Sequence, residues 1–130
     1  MIVGYVVTKI DASRDIKIKV DGPTTISQKY DIKSIEKEEE LLVFNFSVST
    51  TYSVNNKEYA YVNLESHIFY KGDDVDKVYD DWNKSRQLNP KVSYEIIEFG
   101  LNQSLFETMY LSRSMQLPPL QLVRVEKKEQ

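Results

Sequence analysis

An α+β fold is predicted, an antiparallel β-sheet of about four or five strands with two helices packed on one face. Three features of the sequence predict it. Apolar and polar residues alternate with period two on both sides of a turn within residues 42–70. Apolar residues then recur at helical spacing from Val75 onward, and the change of pattern falls at Gly72. Period two sends successive side chains to opposite faces of a strand, whereas a 3.6-residue period lines one side of a helix.

The elements follow in order along a chain of 130 residues, a length that suits one domain, 1–130, with one core. Residues 1–72 read mainly as strands, 73–116 as helices and 117–130 as an extended tail. Residues 2–8 are rich in β-formers; Ile16, Ile18 and Val20 alternate with Asp15, Lys17 and Lys19; residues 28–35 carry Tyr30 and Ile32. These predict three shorter strands or extended segments, with Asp21-Gly22-Pro23 breaking the second from the third. Leu42, Phe44, Phe46, Val48, Thr50 and Tyr52 then alternate with Asn45, Ser47, Ser49 and Thr51. After the turn Val54-Asn55-Asn56-Lys57, Ala60, Val62, Leu64, Ser66 and Ile68 alternate with Tyr59, Tyr61, Asn63, Glu65 and His67. The pair makes a long antiparallel hairpin whose covered face holds Phe44, Phe46, Val62 and Leu64.

Val75, Val78, Tyr79 and Trp82 predict a helix over residues 74–87, with Asp73, Asp74 and Asp76 at the end where the dipole favours anions. Asn89-Pro90 caps and opens a second helix over residues 90–115, because Asn caps well and Pro is tolerated in the first turn. Val92, Ile96, Phe99, Phe106 and Tyr110 lie along one side of it, and Ile97, Leu101, Leu105 and Met109 widen the apolar surface. Gly100 near its middle costs about 1 kcal/mol against Ala, so it predicts a bend or the close approach of another element. Pro118-Pro119 ends the helical region, and residues 120–125 read as a final extended segment.

Composition narrows the function classes. Hydrophobic residues at 41% and charged residues at 28% supply both a core and a charged surface. Nine Tyr, five Phe and one Trp add large amphipathic contact areas. With no Cys, disulfides and thiolate metal sites are excluded. The apolar stretch 1–10 is too short for a membrane span and has no basic leader, which predicts a cytoplasmic protein. A net charge of −3 gives no drive towards a phosphate backbone, so no nucleic-acid partner is expected.

Catalytic constellations are missing from the sequence. His67 is the one histidine; on a strand it shares a face with Glu65, which permits a carboxylate and imidazole pair but reads more simply as an ordinary strand histidine. Asp73, Asp74 and Asp76 lack the rest of a calcium loop, and Gly4, Gly22, Gly72 and Gly100 are isolated. The expectation is a non-enzyme with no cofactor and no metal. Glu36-Lys37-Glu38-Glu39-Glu40 reads as a solvated turn. Tyr59 and Tyr61, placed opposite Val62 and Leu64, would give the hairpin a tyrosine-bearing outer face on which a folded partner docks, the adaptor alternative.

The order of elements resembles that of the SecB family of export chaperones. Local similarities are Ser27-Gln28-Lys29-Tyr30-Asp31, like the segment at that family's crossover; residues 42–50, like its central strand; and residues 89–114 followed by Gln116-Leu117-Pro118-Pro119-Leu120, like its long helix and the Pro- and Leu-containing segment after it. That family continues into another helix where only residues 120–130 follow here, so the resemblance implies a missing or rebuilt part of its groove. It also implies a homodimer or homotetramer that binds unfolded or partly folded polypeptides, with an export motor or an antitoxin as further partner. The client groove is expected to be lined by Tyr30, Phe106, Met109, Tyr110 and Met115.

Overall fold

The computed structural model of the chain describes residues 1–119. Four strands, β1 (Ile2–Arg14), β2 (Thr24–Glu38), β3 (Leu41–Val54) and β4 (Lys57–Lys71), precede two helices, α1 (Val75–Ser85) and α2 (Pro90–Ser114). The strands form one antiparallel sheet in the order β1-β4-β3-β2, so β1 and β2 are its edges. Both helices pack on the same face. The predicted α+β class, the hairpin and both helices are therefore present; residues 120–125 lie outside the described residues.

The hairpin closes through Asn55 and Asn56, with φ of 52° and 62°. Two consecutive left-handed residues match the twist of the flanking strands, and Asn tolerates that conformation better than most side chains. Leu42, Phe44, Phe46, Val48 and Tyr52 on β3 and Val62, Leu64 and Ile68 on β4 are all buried beneath the helices. The covered face was thus legible from alternation alone.

Two expectations are corrected. Residues 16–20 form no strand but part of the connection between β1 and β2. Asp15 turns the chain there: its carboxylate accepts from the Lys17 N–H at 3.0 Å, leaving Ile16 in solvent. Tyr59, expected on the outer face, is buried on the inner one. The register slips between Tyr52 paired with Ala60 and Ser53 paired with Glu58, so Tyr59 is an extra residue in a β-bulge and its side chain changes face. Its ring lies 6.5 Å from that of Tyr52 and its hydroxyl bonds Thr24 Oγ1 at 2.8 Å. Further slips fall at Val3 and Thr8 on β1 and at Lys33 on β2.

The core has two parts. Leu42, Phe44, Phe46, Ile68 and Tyr70 meet Val75, Val78, Val92 and Ile96 from the helices. Nearer the hairpin turn, Tyr52, Val54, Tyr59, Ala60, Val62 and Leu64 are covered by Leu111, Met115 and Leu117. The buried positions of α2 include Ile96, Gly100, Ser104, Thr108 and Ser112, one every four residues. Such a row drifts about 40° per step around an α-helix, so α2 meets the twisted sheet with a slowly rotating stripe of mostly small residues. A Cβ on Gly100 would stand 2.6 Å from Phe46 Cε1, so the glycine marks a close helix-to-sheet approach.

Small hydroxyl residues carry a cost. Ser104 Oγ and Thr108 Oγ1 are buried and find no hydrogen-bond partner of bonding geometry among the described residues. Ser112, by contrast, donates to the Met109 carbonyl at 3.0 Å and leaves its oxygen facing the Tyr52 phenol. Each such orphan costs about 1–3 kcal/mol. Beyond them, the Arg14 guanidinium donates from β1 to the Met115 and Gln116 carbonyls at 2.8 and 2.6 Å, closing the end of α2, and lies 5.7 Å over the Tyr59 ring.

Candidate functional site

A groove runs between the β2 edge and the helices. Its lining includes Tyr30 and Ile32 from the inner side of β2, Trp82 and Arg86 from the end of α1, Leu88 from the connection and Ile97 from α2, around a cavity of about 270 Å³. That volume is of the order of one or two large apolar side chains. Tyr30 is 48% exposed, because β2 is an edge and no further strand covers it. Its ring stacks on buried Phe46, 6.3 Å away at 18°.

Local sequence places the other wall. Arg86 ends α1 in the left-handed conformation, φ 57°, with its N–H donating to the Trp82 carbonyl at 2.8 Å. Its guanidinium sits 5.5 Å over the Trp82 ring. Asn89 then accepts from the Lys91 N–H at 2.9 Å and Pro90 starts α2. The connection is so short that Leu88 is folded into the groove beside Ile97. An ion pair between Lys37 and Asp76 ties the start of α1 to β2.

The five residues expected to share a groove do not meet in one place. Phe106, Met109 and Tyr110 do come together by helical spacing on the outward side of α2, 60%, 38% and 72% exposed. Met115 faces the other way, onto the cluster near the hairpin turn. Tyr30 lies with Ile97, and Phe106 is nine residues further along α2, about 14 Å of helix axis. Tyr30 itself lies by the first half of α2, whereas Ile26 at the start of β2 is the residue that packs with Leu111 and Met115 at the helix end. Trp82, Leu88 and Ile97 were not anticipated as a site. Their spacing spans a helix, a connection and a second helix, and only Trp82, the one tryptophan on an amphipathic helix, offered any signal.

Glu65 and His67 share the sheet's outer face as expected, but Glu65 pairs with Lys33 at 2.6 Å, which holds its carboxyl below the usual range. His67 stands edge-on to Phe69, ring centres 6.4 Å apart. No group of three or more His, Asp or Glu residues suited to a metal occurs among the described residues, and no helix among them is long and apolar enough to cross a membrane.

An edged four-stranded sheet with two helices on one face, the longer one lying along it, is the architecture of SecB-like chaperones. Among solved structures, the chain is similar to a SecB-like chaperone of Mycobacterium tuberculosis, in complex with a ChAD peptide from the HigA1 antitoxin. The TM-score is 0.68 at 16% identity, covering 99% of this chain and 92% of that one. At that identity the likeness establishes the shared fold. No family model matches the sequence, and no curated protein sequence does.

Proposed function

We propose that this protein is a cytoplasmic chaperone that holds non-native polypeptide without ATP and without catalysis, keeping it soluble for export or for the control of an unstable partner such as an antitoxin. The observation that carries the reading is the open groove in which the apolar Tyr30, Ile32, Trp82, Leu88 and Ile97 lie among Asp31, Arg86 and Ser93, beside an unpaired edge strand. An edge offers free N–H and C=O groups to any extended chain, and the groove takes alternate apolar side chains without demanding their identity. The structural neighbour, itself bound to an antitoxin peptide, supports a polypeptide as ligand. Burying roughly 600 Å² of apolar client surface at about 25 cal/mol per Å² gives about 15 kcal/mol gross, most of it offset by ordering the client. Moderate, releasable binding follows.

The outward surface of Phe106, Met109 and Tyr110 is assigned to assembly, a second copy of this chain covering it in a homodimer or homotetramer. The adaptor alternative loses half of its tyrosine surface, because Tyr59 is buried and only Tyr61 remains on the outer face.

Suppression of aggregation of a chemically unfolded model protein tests the chaperone reading. The wild-type chain delays aggregation at near-stoichiometric amounts, and Tyr30→Asp weakens the effect; because it also removes the stack on Phe46, the two are compared at a temperature where both melting curves show a folded chain. No delay by the wild type refutes the function; equal delay by the variant refutes the groove.

A further inference from the structure

We propose that the C-terminal half of α2 is a strap that opens from the sheet about a fulcrum at Gly100 and is latched shut by Arg14. The contact between helix and sheet changes character along its length. Before the fulcrum it is apolar, with Val92 and Ile96 buried in the larger core cluster and Gly100 pressed against Phe46. After it the buried row turns to hydroxyls, Ser104, Thr108 and Ser112, at 1%, 0% and 2% exposure.

A row of small residues alone says nothing about motion. Here it coincides with a second feature, the unpartnered hydroxyls of Ser104 and Thr108 within the same half of the interface. A hydroxyl without a partner in the closed state regains water when the interface parts, so opening is helped most in this half, where α2 itself supplies two such hydroxyls, against the single Tyr5 hydroxyl from β1 beside Phe99 in the other. The strap is held down by Leu105, Leu111 and Leu117 and, at its end, by the two bonds from Arg14 to the Met115 and Gln116 carbonyls. Arg14 belongs to an edge strand, so whatever displaces that edge also releases the latch.

Opening uncovers Tyr52, Val54, Val62 and Leu64, an apolar floor separate from the groove at Tyr30. That this floor receives client segments rests on the chaperone reading; the opening itself does not.

Hydrogen exchange read by mass spectrometry on the full chain tests the opening with variants that push in opposite directions. Arg14→Gln removes the guanidinium and speeds exchange in residues 104–116 on the order of tenfold, with residues 92–100 unchanged. Ser104→Ala combined with Thr108→Val removes the orphan hydroxyls and slows exchange in the same residues by a similar factor. Uniform changes along all of α2, or no slowing in the hydroxyl-free variant, overturn the strap. Should Arg14→Gln fail to fold, the hydroxyl-free variant decides alone by the same criterion. Binding of a permanently unfolded polypeptide is measured in parallel. Exchange that responds as stated with no client bound by the wild type leaves the strap standing and refutes the chaperone reading instead.

Discussion

Gly100→Ala is the most direct probe of how the helix meets the sheet. A methyl group there stands 2.6, 2.7 and 2.9 Å from Phe46 Cε1, Cδ1 and Cζ, whereas carbon atoms rest at about 3.5–4.0 Å. Relief therefore requires a movement of about 1 Å by the ring or by the helix. The ring has little room, being fully buried and stacked on Tyr30 on one side. Alanine gains about 1 kcal/mol over glycine in a helix interior, while overpacking a tight core costs roughly 1–3 kcal/mol and more where backbone must shift. With both the ring and the helix held, the cost falls in the upper part of that range, about 2–3 kcal/mol, and a net loss of about 1–2 kcal/mol is expected. In a thermal melt followed by circular dichroism this is a fall of roughly 3–10 °C for a chain of this size. Phe46→Leu in the Gly100→Ala background makes room, so the pair shows a favourable coupling of about 1 kcal/mol in a double-mutant cycle by urea titration. A Gly100→Ala chain as stable as wild type, or more so, would refute the close approach and leave only the helix-propensity gain.

Three further outcomes follow. Burial pushes the Tyr52 and Tyr70 phenols above their usual 10.0, so the unfolded chain loses these protons first; stability holds below about pH 10 and falls as pH rises through the raised values, and Tyr52→Phe reduces that alkaline loss in urea titrations at stepped pH. Tyr59→Phe removes the bond to Thr24 and costs about 0.5–1.5 kcal/mol by the same method; a neutral result would mean that water replaces the bond. Phe106→Ser with Tyr110→Ser lowers the oligomer mass in light scattering with little change in subunit folding, since both side chains are exposed in the isolated subunit, and an unchanged mass would place the subunit contact elsewhere.

The elements that the sequence displayed clearly are those whose pattern runs unbroken. Residues 44–52 alternate between buried and half-buried without interruption, and the helix from Pro90 keeps its spacing through Ser114, so both were legible. Bulges defeat the same reasoning, because one extra residue moves every later side chain to the opposite face. Tyr59 was lost in this way, and the slips at Val3 and Thr8 hid the full length of β1. Alternating charges and isoleucines at residues 15–20 imitated a strand where the Asp15 turn prevails. For Gly100, composition offered a bend or a close approach, and Phe46 decides for the latter. The groove could not be read at all as a unit, since Tyr30, Trp82, Leu88 and Ile97 are far apart in the chain and join only through the packing of α1 and α2 on β2.

The same slips have a consequence for the chain at high concentration. Both sheet margins are open, and long open margins are where proteins grow into fibres by stacking flat, in-register strands. On β1 the pairing is broken at Val3 and Thr8, and on β2 at Lys33, which also brings a charge to the margin. An endless column of identical copies is disfavoured on such margins, since each copy would have to repeat the kink of the one below it. Irregular margins thus guard this sheet against becoming a template for polymerisation.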